Sequence, residues 1–352
     1  MNFDLTEDRQ MLQDSLRRYL ADKYSVEHRN KVAYDAPYHD DAKWAELTEL
    51  GALFALAPEE AGGMGGAGFD ISVVFEELGR VICPEPVLGA LMASRLMTAA
   101  GADQEELLSG ATKYAVGLGE LDAPYDLSGI STSASGGKVT GRKSIVYGGQ
   151  VADVFLVAAK DGDSLNVYEV KASDASVTGY ALMDGAGAAE VVLEDAPATL
   201  LIEGADAAIA DAVNAGIVAL CAEAVGAMDV LHKMTVEYLG QRKQFGRPIG
   251  TFQVLQHRAV DMLTEIEQSR SIVIKAAAEL GGPDASKYCS MAKNLIGRAG
   301  RLVAEEAIQM HGGIAMTWEY AVSHYAKRLI MIDHQLGDTD HCLSQISTSY
   351  AA

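Results

Sequence analysis

Ten residues near the C-terminus, "IDHQLGDTDH" (332–341), gather two histidines and three aspartates. If the segment is helical, His334, Asp338 and His341 fall at i, i+4 and i+7, one face of a helix and a spacing open to metal ligation. The same residues offer a second chemistry, since Asp333, His334 or Asp338 could take a proton as general base. The plainer reading is a solvated helix end on an acidic chain. No fourth ligand with matching spacing is evident, so no metal is expected here.

The elements that must position these groups follow from composition and periodicity. A chain of 352 residues, 49% hydrophobic and 22% charged, is long enough for two or three packed domains with a large core. Its formal net charge of −21 opposes binding to nucleic acid or anionic lipid through bulk electrostatics, so an anionic ligand needs a local cluster of cations. Cys83, Cys221, Cys289 and Cys342 are far apart and form no CxxC pair, which fits a reducing cytoplasm better than a disulfide framework or a zinc knuckle. The start "MNFDLTEDRQMLQ" has no basic or apolar leader pattern, and the apolar run "NAGIVALCAEAVGAMDVL" is interrupted by Glu223 and Asp229, so neither an export signal nor a membrane span is expected.

Three zones emerge along the chain, giving an α+β organisation. From Leu5 to about 110 the apolar spacing is helical, with Thr6 before Glu7 and Asp8 reading as an N-cap followed by acidic first-turn residues. From 111 to about 204 short β-type runs such as "KYAVGL", "GKVTG", "VFLVAA", "NVYEV" and "EVVLED" alternate with Gly, Asp and Ser turns, as in a small antiparallel β domain. From 205 to 352 helical periodicity returns in four long segments, near 208–240, 252–280, 285–311 and 318–345, with "GGP" and "HGG" as breaks. Their lengths suit a four-helix bundle.

Three stretches now carry a resemblance: "LGALFALAPEEAGGMGGAGFDISVVFEELGR" (50–80), "QRKQFGRPIGTFQVLQH" (241–257) and "AEEAIQMHGGIAMTWEY" (304–320). In this order they resemble the acyl-CoA dehydrogenase family, and the likeness spans nearly the whole chain. The resemblance implies an N-terminal helical domain, a middle β domain and a C-terminal four-helix bundle. It also implies FAD, and removal of two hydrogens from the Cα–Cβ bond of an acyl-CoA thioester. The α-proton goes to a positioned base and the β-hydrogen leaves as hydride to the flavin. In the family each flavin is shared between two subunits, one holding the isoalloxazine and its neighbour contacting the adenosine and pyrophosphate.

The neighbour-facing half is expected to be intact. By the resemblance, Arg242, Gln244 and Phe245 of "QRKQFG" reach the pyrophosphate and adenine of the next subunit's FAD, and Gln309 and Gly313 of "QMHGG" pack against the dinucleotide. An arginine contributes a charge-assisted contact to phosphate, a phenylalanine a flat apolar face, and a glycine close backbone approach. Taken singly, a helix arginine is usually a solvated charge and a Gly-Gly usually a helix stop. The flavin-holding half reads as degraded. Glu120 in "GLGELDAP" (117–124) lacks the proline that follows it in the family, and "GRKSIVYGGQ" (141–150) places Ile145 and Val146 where the family has a tryptophan-bearing strand, with Tyr147 the one aromatic nearby.

The base is missing as well. The family's commonest base, a glutamate directly before a glycine, aligns with Leu336 before Gly337. Its alternative seat, a few residues after the motif pair matched by Glu267 and Arg270, falls on Ile274 and Lys275, with Glu279 further along and pointing away. None of these supplies a carboxylate in place, so "IDHQLGDTDH" reads as a vacated catalytic site. The whole pattern is similar to the short, base-lacking subunits of actinobacterial heteromeric (α2β2) acyl-CoA dehydrogenases, which act on bulky thioesters such as sterol side-chain CoA. That likeness implies a homologous full-motif partner subunit, an FAD shared with it, an acyl-CoA substrate and an electron-transfer flavoprotein as acceptor. Two other readings stay open: a self-sufficient homomeric flavoenzyme with a relocated base or base-free chemistry, and a flavin-free CoA-thioester binding or scaffold protein.

Overall fold

A computed structural model describes residues 5–351, so residues 1–4 and 352 of the first and last expected domains lie outside the described residues. Helices α1 (Glu7–Lys23), α2 (Val26–Tyr34), α3 (Asp41–Glu49), α4 (Gly68–Arg80), α5 (Val87–Ala100) and α6 (Glu105–Leu108) come first. Strands β1 (Tyr114–Gly117), β2 (Ser133–Ser135), β3 (Lys138–Tyr147), β4 (Val154–Asp161), β5 (Ser164–Lys171), β6 (Ser176–Ala181), β7 (Gly187–Pro197) and β8 (Thr199–Ile202) follow. The remainder is α7 (Asp206–Gln241), a hairpin of β9 (Lys243–Gln244) and β10 (Arg247–Pro248), then α8 (Gln253–Glu279), α9 (Ala285–His311), α10 (Val322–His334) and α11 (Thr339–Ala351).

These elements form two compact units that do not follow sequence order: of the described residues one contains 5–16, 30–71 and 84–216, the other 17–29, 72–83 and 217–351. The first is built on an eight-stranded sheet of order β6-β7-β3-β2-β4-β5-β8, with β1 also on β4. The pairs are mostly antiparallel, but β1 and β2 each run parallel to β4, an arrangement that local alternation does not reveal. Strand β4 is central, and its run Phe155, Leu156, Val157, Ala158 and Ala159 is fully buried, which is why it reads as continuous apolar rather than alternating. Helix α3 begins where the Asp40 carboxylate accepts from the Ala42 and Lys43 amides at 2.9 and 3.2 Å.

In the second unit α9 packs against α8, α10 and α11. Helix α7 alone among the described residues is long and apolar enough to cross a membrane, but 78% of its apolar window is buried, as in the core helix of a folded bundle. The two charges that interrupt it are paired: Glu223 is held by both arms of Arg328 at 2.6 Å, and Asp229 by Arg270 at 2.8 Å and Arg80 at 3.1 Å. Arg80 and Arg270 also share Glu76, and Arg17 reaches Glu77. The fourth long helix expected over 318–345 is two helices. The chain breaks at 335–338, where Leu336 and Gly337 have φ of 55° and 110°, so His334, Asp338 and His341 do not share one continuous helix face.

Helices α4 and α7 cross at two glycines. A Cβ on Gly79 would lie 2.0 Å from the Glu223 carbonyl oxygen, and one on Gly226 would lie 2.0 Å from that of Glu76. Helix propensity alone favours Gly79→Ala by about 1 kcal/mol. The clash opposes it, and Gly79→Ala is expected to lower stability by about 1–3 kcal/mol, the range for overpacking a tight contact. Thermal unfolding measures it, and a stabilised variant would show that the helices stand further apart.

Candidate functional site

The segment Arg242 to Arg247 stands at the end of α7. The Arg242 amide donates to the Tyr238 carbonyl and the Ile249 amide returns to the Arg242 carbonyl, both at 2.8 Å, which ties the hairpin to the helix. Gln244 pairs with Arg247 across β9 and β10, leaving Phe245 and Gly246 as the turn with φ of 53° and 77°. Two positive φ values define a type I′ turn, where Asn-Gly is the usual choice. A phenylalanine held left-handed there costs about 1–2 kcal/mol, and the result is a ring 90% exposed. It rests edge-on against Phe252, whose face is covered by the Arg247 guanidinium at 4.2 Å. Arg242 and Gln244 are exposed too.

Gln309 is exposed on the last turn of α9, and Gly313 lies just past its end with nothing within 4 Å of where a Cβ would be. The two segments are brought together by stacked rings, Tyr238 of α7 and His311 of α9, whose centroids are 4.6 Å apart. All five residues assigned to the dinucleotide from the sequence therefore stand at one end of the bundle. The surface offers a flat ring, a guanidinium and open glycine backbone, which fits an adenosine and pyrophosphate.

Of the residues assigned to the isoalloxazine side, Glu120 and Val146 are turned inward. The Glu120 carboxylate accepts from the Ser131 amide and hydroxyl at 2.8 and 2.7 Å, from the Thr132 amide and hydroxyl at 2.9 and 2.6 Å, and from Lys143 Nζ at 3.1 Å. Burial pushes its pKa up, but these donors outweigh it and hold the group down to about 2. Lys143 is fully buried, its pKa lowered to about 8 by burial against the attraction of Glu120, and it also donates to the Leu118 carbonyl at 2.9 Å. Val146 is in the core. Ile145 sits on a bulge of β3 with φ of 54° and is 42% exposed, its amide turned to Glu190 at 3.3 Å. Tyr147 is half-buried. Glu120 has its donors already, and Tyr180, the aromatic beside Ile145, is tied by its hydroxyl to Glu190 at 3.2 Å, so these residues are engaged within the protein and do not fit a flavin ring in the way the hairpin fits the adenosine.

The positions that the sequence reading took as seats for the base carry groups engaged within the fold. Leu336 is half-buried in the left-handed loop between α10 and α11. That loop is clamped by a lysine the sequence reading missed: Lys293 of α9, fully buried, donates to the Asp333 and Gly337 carbonyls at 2.8 and 2.5 Å. Burial lowers its pKa against the pull of neighbouring thiols and of Asp333 and Asp338. A Cβ on Gly297, one turn further along α9, would meet the Asp333 carboxylate at 2.1 Å. Asp333 accepts from the Thr339 amide and hydroxyl at 3.1 and 2.7 Å, and Asp338 caps α11 by accepting from the His341 amide at 2.7 Å. Gln335 is gripped by Arg328 at 2.9 Å. Among the described residues no group of three His, Cys, Asp or Glu side chains could hold a metal. At the alternative seat Ile274 is half-buried, and Lys275 pairs with Glu279 at 2.5 Å on an exposed face.

Residues 6–106 match the family described as acyl-CoA dehydrogenase, N-terminal domain, and residues 179–347 that described as acyl-CoA dehydrogenase, C-terminal domain. The chain is 33% identical over 325 residues to acyl-CoA dehydrogenase IpdE2 of Mycobacterium tuberculosis, covering 92% of this chain and 91% of that one. Among solved structures it is similar to a variant of the Tcur3481–Tcur3483 steroid ACAD, with TM-score 0.90, 27% identity and 98% of each chain covered. The ChsE4–ChsE5 complex of Mycobacterium tuberculosis shares the fold, with TM-score 0.91 at 24% identity over 100% of this chain and 99% of that one.

Two outcomes test this geometry. Lys293→Met leaves two buried carbonyls without a donor, at about 1–3 kcal/mol each, so thermal stability is expected to fall and amide exchange at 335–338 to rise; unchanged exchange there would rule out the clamp. For Glu120 the folded pKa of about 2 lies below the ordinary 4.5, so its contribution is present above 4.5 and is lost as pH falls toward 2. Glu120→Gln should be less stable at pH 7 and show a flatter loss of stability across that acid window, measured by denaturant unfolding at a series of pH values.

Proposed function

The chain belongs to the acyl-CoA dehydrogenase family of oxidoreductases, and from that premise we propose that it is the base-lacking subunit of a heteromeric, α2β2 enzyme, completing the FAD site of a homologous catalytic partner. The observation that carries this reading is the contrast between its two halves. The hairpin presents Phe245 at 90% exposure beside open glycines, whereas Glu120 is spent on internal donors. Leucine stands at the base position inside a loop whose carboxylates serve as caps.

In the proposed complex the flavin, when bound, supplies the hydride acceptor. Arg242 neutralises pyrophosphate, Phe245 and the backbone at Gly313 line the adenosine, and Gln244 and Gln309 offer polar contacts at the rim. The partner's glutamate takes the α-proton. The steroid ACAD likeness supports a bulky acyl-CoA thioester, such as a sterol side-chain CoA, as substrate, with an electron-transfer flavoprotein as electron acceptor. A reducing, cytoplasmic setting suits the thiols of Cys83, Cys221, Cys289 and Cys342, which form no disulfide.

Co-purification with the neighbouring homologue, followed by a flavin count, is expected to give one FAD for every two chains. A yellow, stoichiometric and active homotetramer of this chain alone would overturn the proposal. Within the complex, Arg242→Ala should weaken FAD retention by about 1.5–3 kcal/mol, the worth of a charge-assisted hydrogen bond. Asp333, His334 and Asp338 substitutions should leave turnover within a few-fold. Loss of a true general base removes about 10²–10⁴-fold of rate, so a hundredfold fall for any of them, with flavin and assembly intact, would place a relocated base in this chain.

A further inference from the structure

Phe252 is the fixed point of the hairpin surface. Its amide donates to the Ile249 carbonyl at 3.1 Å, the Ile249 amide donates to the Arg242 carbonyl at 2.8 Å, and the Phe252 carbonyl accepts from the Leu255 amide at 3.0 Å. Its main chain is thus tied both to the end of α7 and to the first turn of α8. The Thr251 hydroxyl and the Gln256 side-chain amide close the same corner by donating to the Pro248 and Gly250 carbonyls, at 2.7 and 2.8 Å. Two side chains rest on this half-buried ring. The Arg247 guanidinium lies over its face, 4.2 Å from the centroid, and the Phe245 ring meets it edge to face, with centroids 6.2 Å apart and planes at 89°.

A phenyl ring this close to another can also lie offset on its face, where more apolar surface leaves water. Phe245 instead stays 90% exposed on a left-handed backbone. The face it does not take is the one under the guanidinium. Arg247 pairs with Gln244 across the turn that carries Phe245, so arginine and phenylalanine approach one ring from the same short hairpin and compete for it.

We propose that Arg247 is a positioning residue: by occupying the face of Phe252 it keeps Phe245 from folding onto that face, and so holds the exposed ring out as a platform for a planar ligand. This deepens the reading of the surface as the adenosine contact of FAD and rests on it. A guanidinium suits the task because it is flat, always charged, and held on an aromatic face by cation–π attraction while its rim stays hydrated. Alanine at this position uncovers the face, and the Phe245 ring, already at its edge, moves onto it.

The test labels the chain with 4-fluorophenylalanine, assigns the Phe245 fluorine by its loss in Phe245→Leu, and reads its exposure from relaxation by a neutral, soluble paramagnetic agent. In Arg247→Ala and Arg247→Ser, both at an exposed position, that fluorine is expected to lose about half of its exposure as the rings stack, with amide exchange at Ile249 and Phe252 unchanged. Exposure that stays as in the wild type, or that falls only where the corner itself has loosened, overturns the inference and leaves the flavin reading standing. In the complex, FAD retention is then measured for Arg247→Ala on the wild-type background and on a Phe245→Ala background. Acting through Phe245, the arginine should cost about two- to fivefold in retention on the first, as an exposed cation–π contact does, and nothing on the second. Equal losses on both backgrounds show a direct contact with the ligand and overturn the positioning role. A Phe245 ring that folds in while retention holds overturns the assignment of this surface to FAD, and the platform with it.

Discussion

A buried ammonium must be surrounded by acceptors or give up its proton, and Lys293 is fully buried inside a helix bundle. Its solution organises the C-terminal unit. It takes two main-chain carbonyls from a neighbouring segment, and a carbonyl free to accept from a side chain is one not committed to a helix ladder. The chain therefore has to leave its helix at 335–338, and Gly297 on the same face of α9 makes room for the Asp333 carboxylate that re-caps it. Arg328, tied to Glu223 and Gln335, fixes the other side of the loop. A loop held by two buried cations takes its shape from them and from its caps rather than from the side chain at position 336.

Glu120 in the first unit answers the same constraint with the opposite charge. A buried carboxylate surrounded by two amides, two hydroxyls and Lys143 is stable as an anion and has no capacity left for a ligand. Both buried charges are thus satisfied internally, while the hairpin and the Gly-Gly turn stand exposed. This asymmetry is what a subunit would show if its contribution lay across an interface rather than in its own cleft.

Much of the architecture was legible because its signals are local. The segments read as 208–240, 252–280 and 285–311 appear as Asp206–Gln241, Gln253–Glu279 and Ala285–His311, since glycine and proline breaks mark their ends. The break after His334 was missed because helical periodicity continues on both sides, although Gly337 followed by Asp338 is the signature of a stop and a new cap. The parallel pairing of β1 with β4 was invisible because register joins residues some forty positions apart. The hairpin residues stand out by motif, but the strain at Phe245 does not, since a positive φ on an aromatic has no sequence mark. Lys293 and His311 looked like ordinary members of helical stretches. Only the fold shows that one is fully buried between two main-chain carbonyls and that the other is buried against the Tyr238 ring.

The crossing of α4 over α7 bears on where a substrate can run. With main-chain oxygens 2.0 Å from the place a methyl group would occupy on each glycine, the seam between Gly79 and Gly226 is closed to anything as thick as an alkyl chain. The five charged residues Glu76, Arg80, Asp229, Arg270 and Glu77 surround the same seam and make its border hydrophilic. An acyl tail threading between these helices would have to displace an ion network and also push the two backbones apart. Any such tail would have to run elsewhere than along this seam.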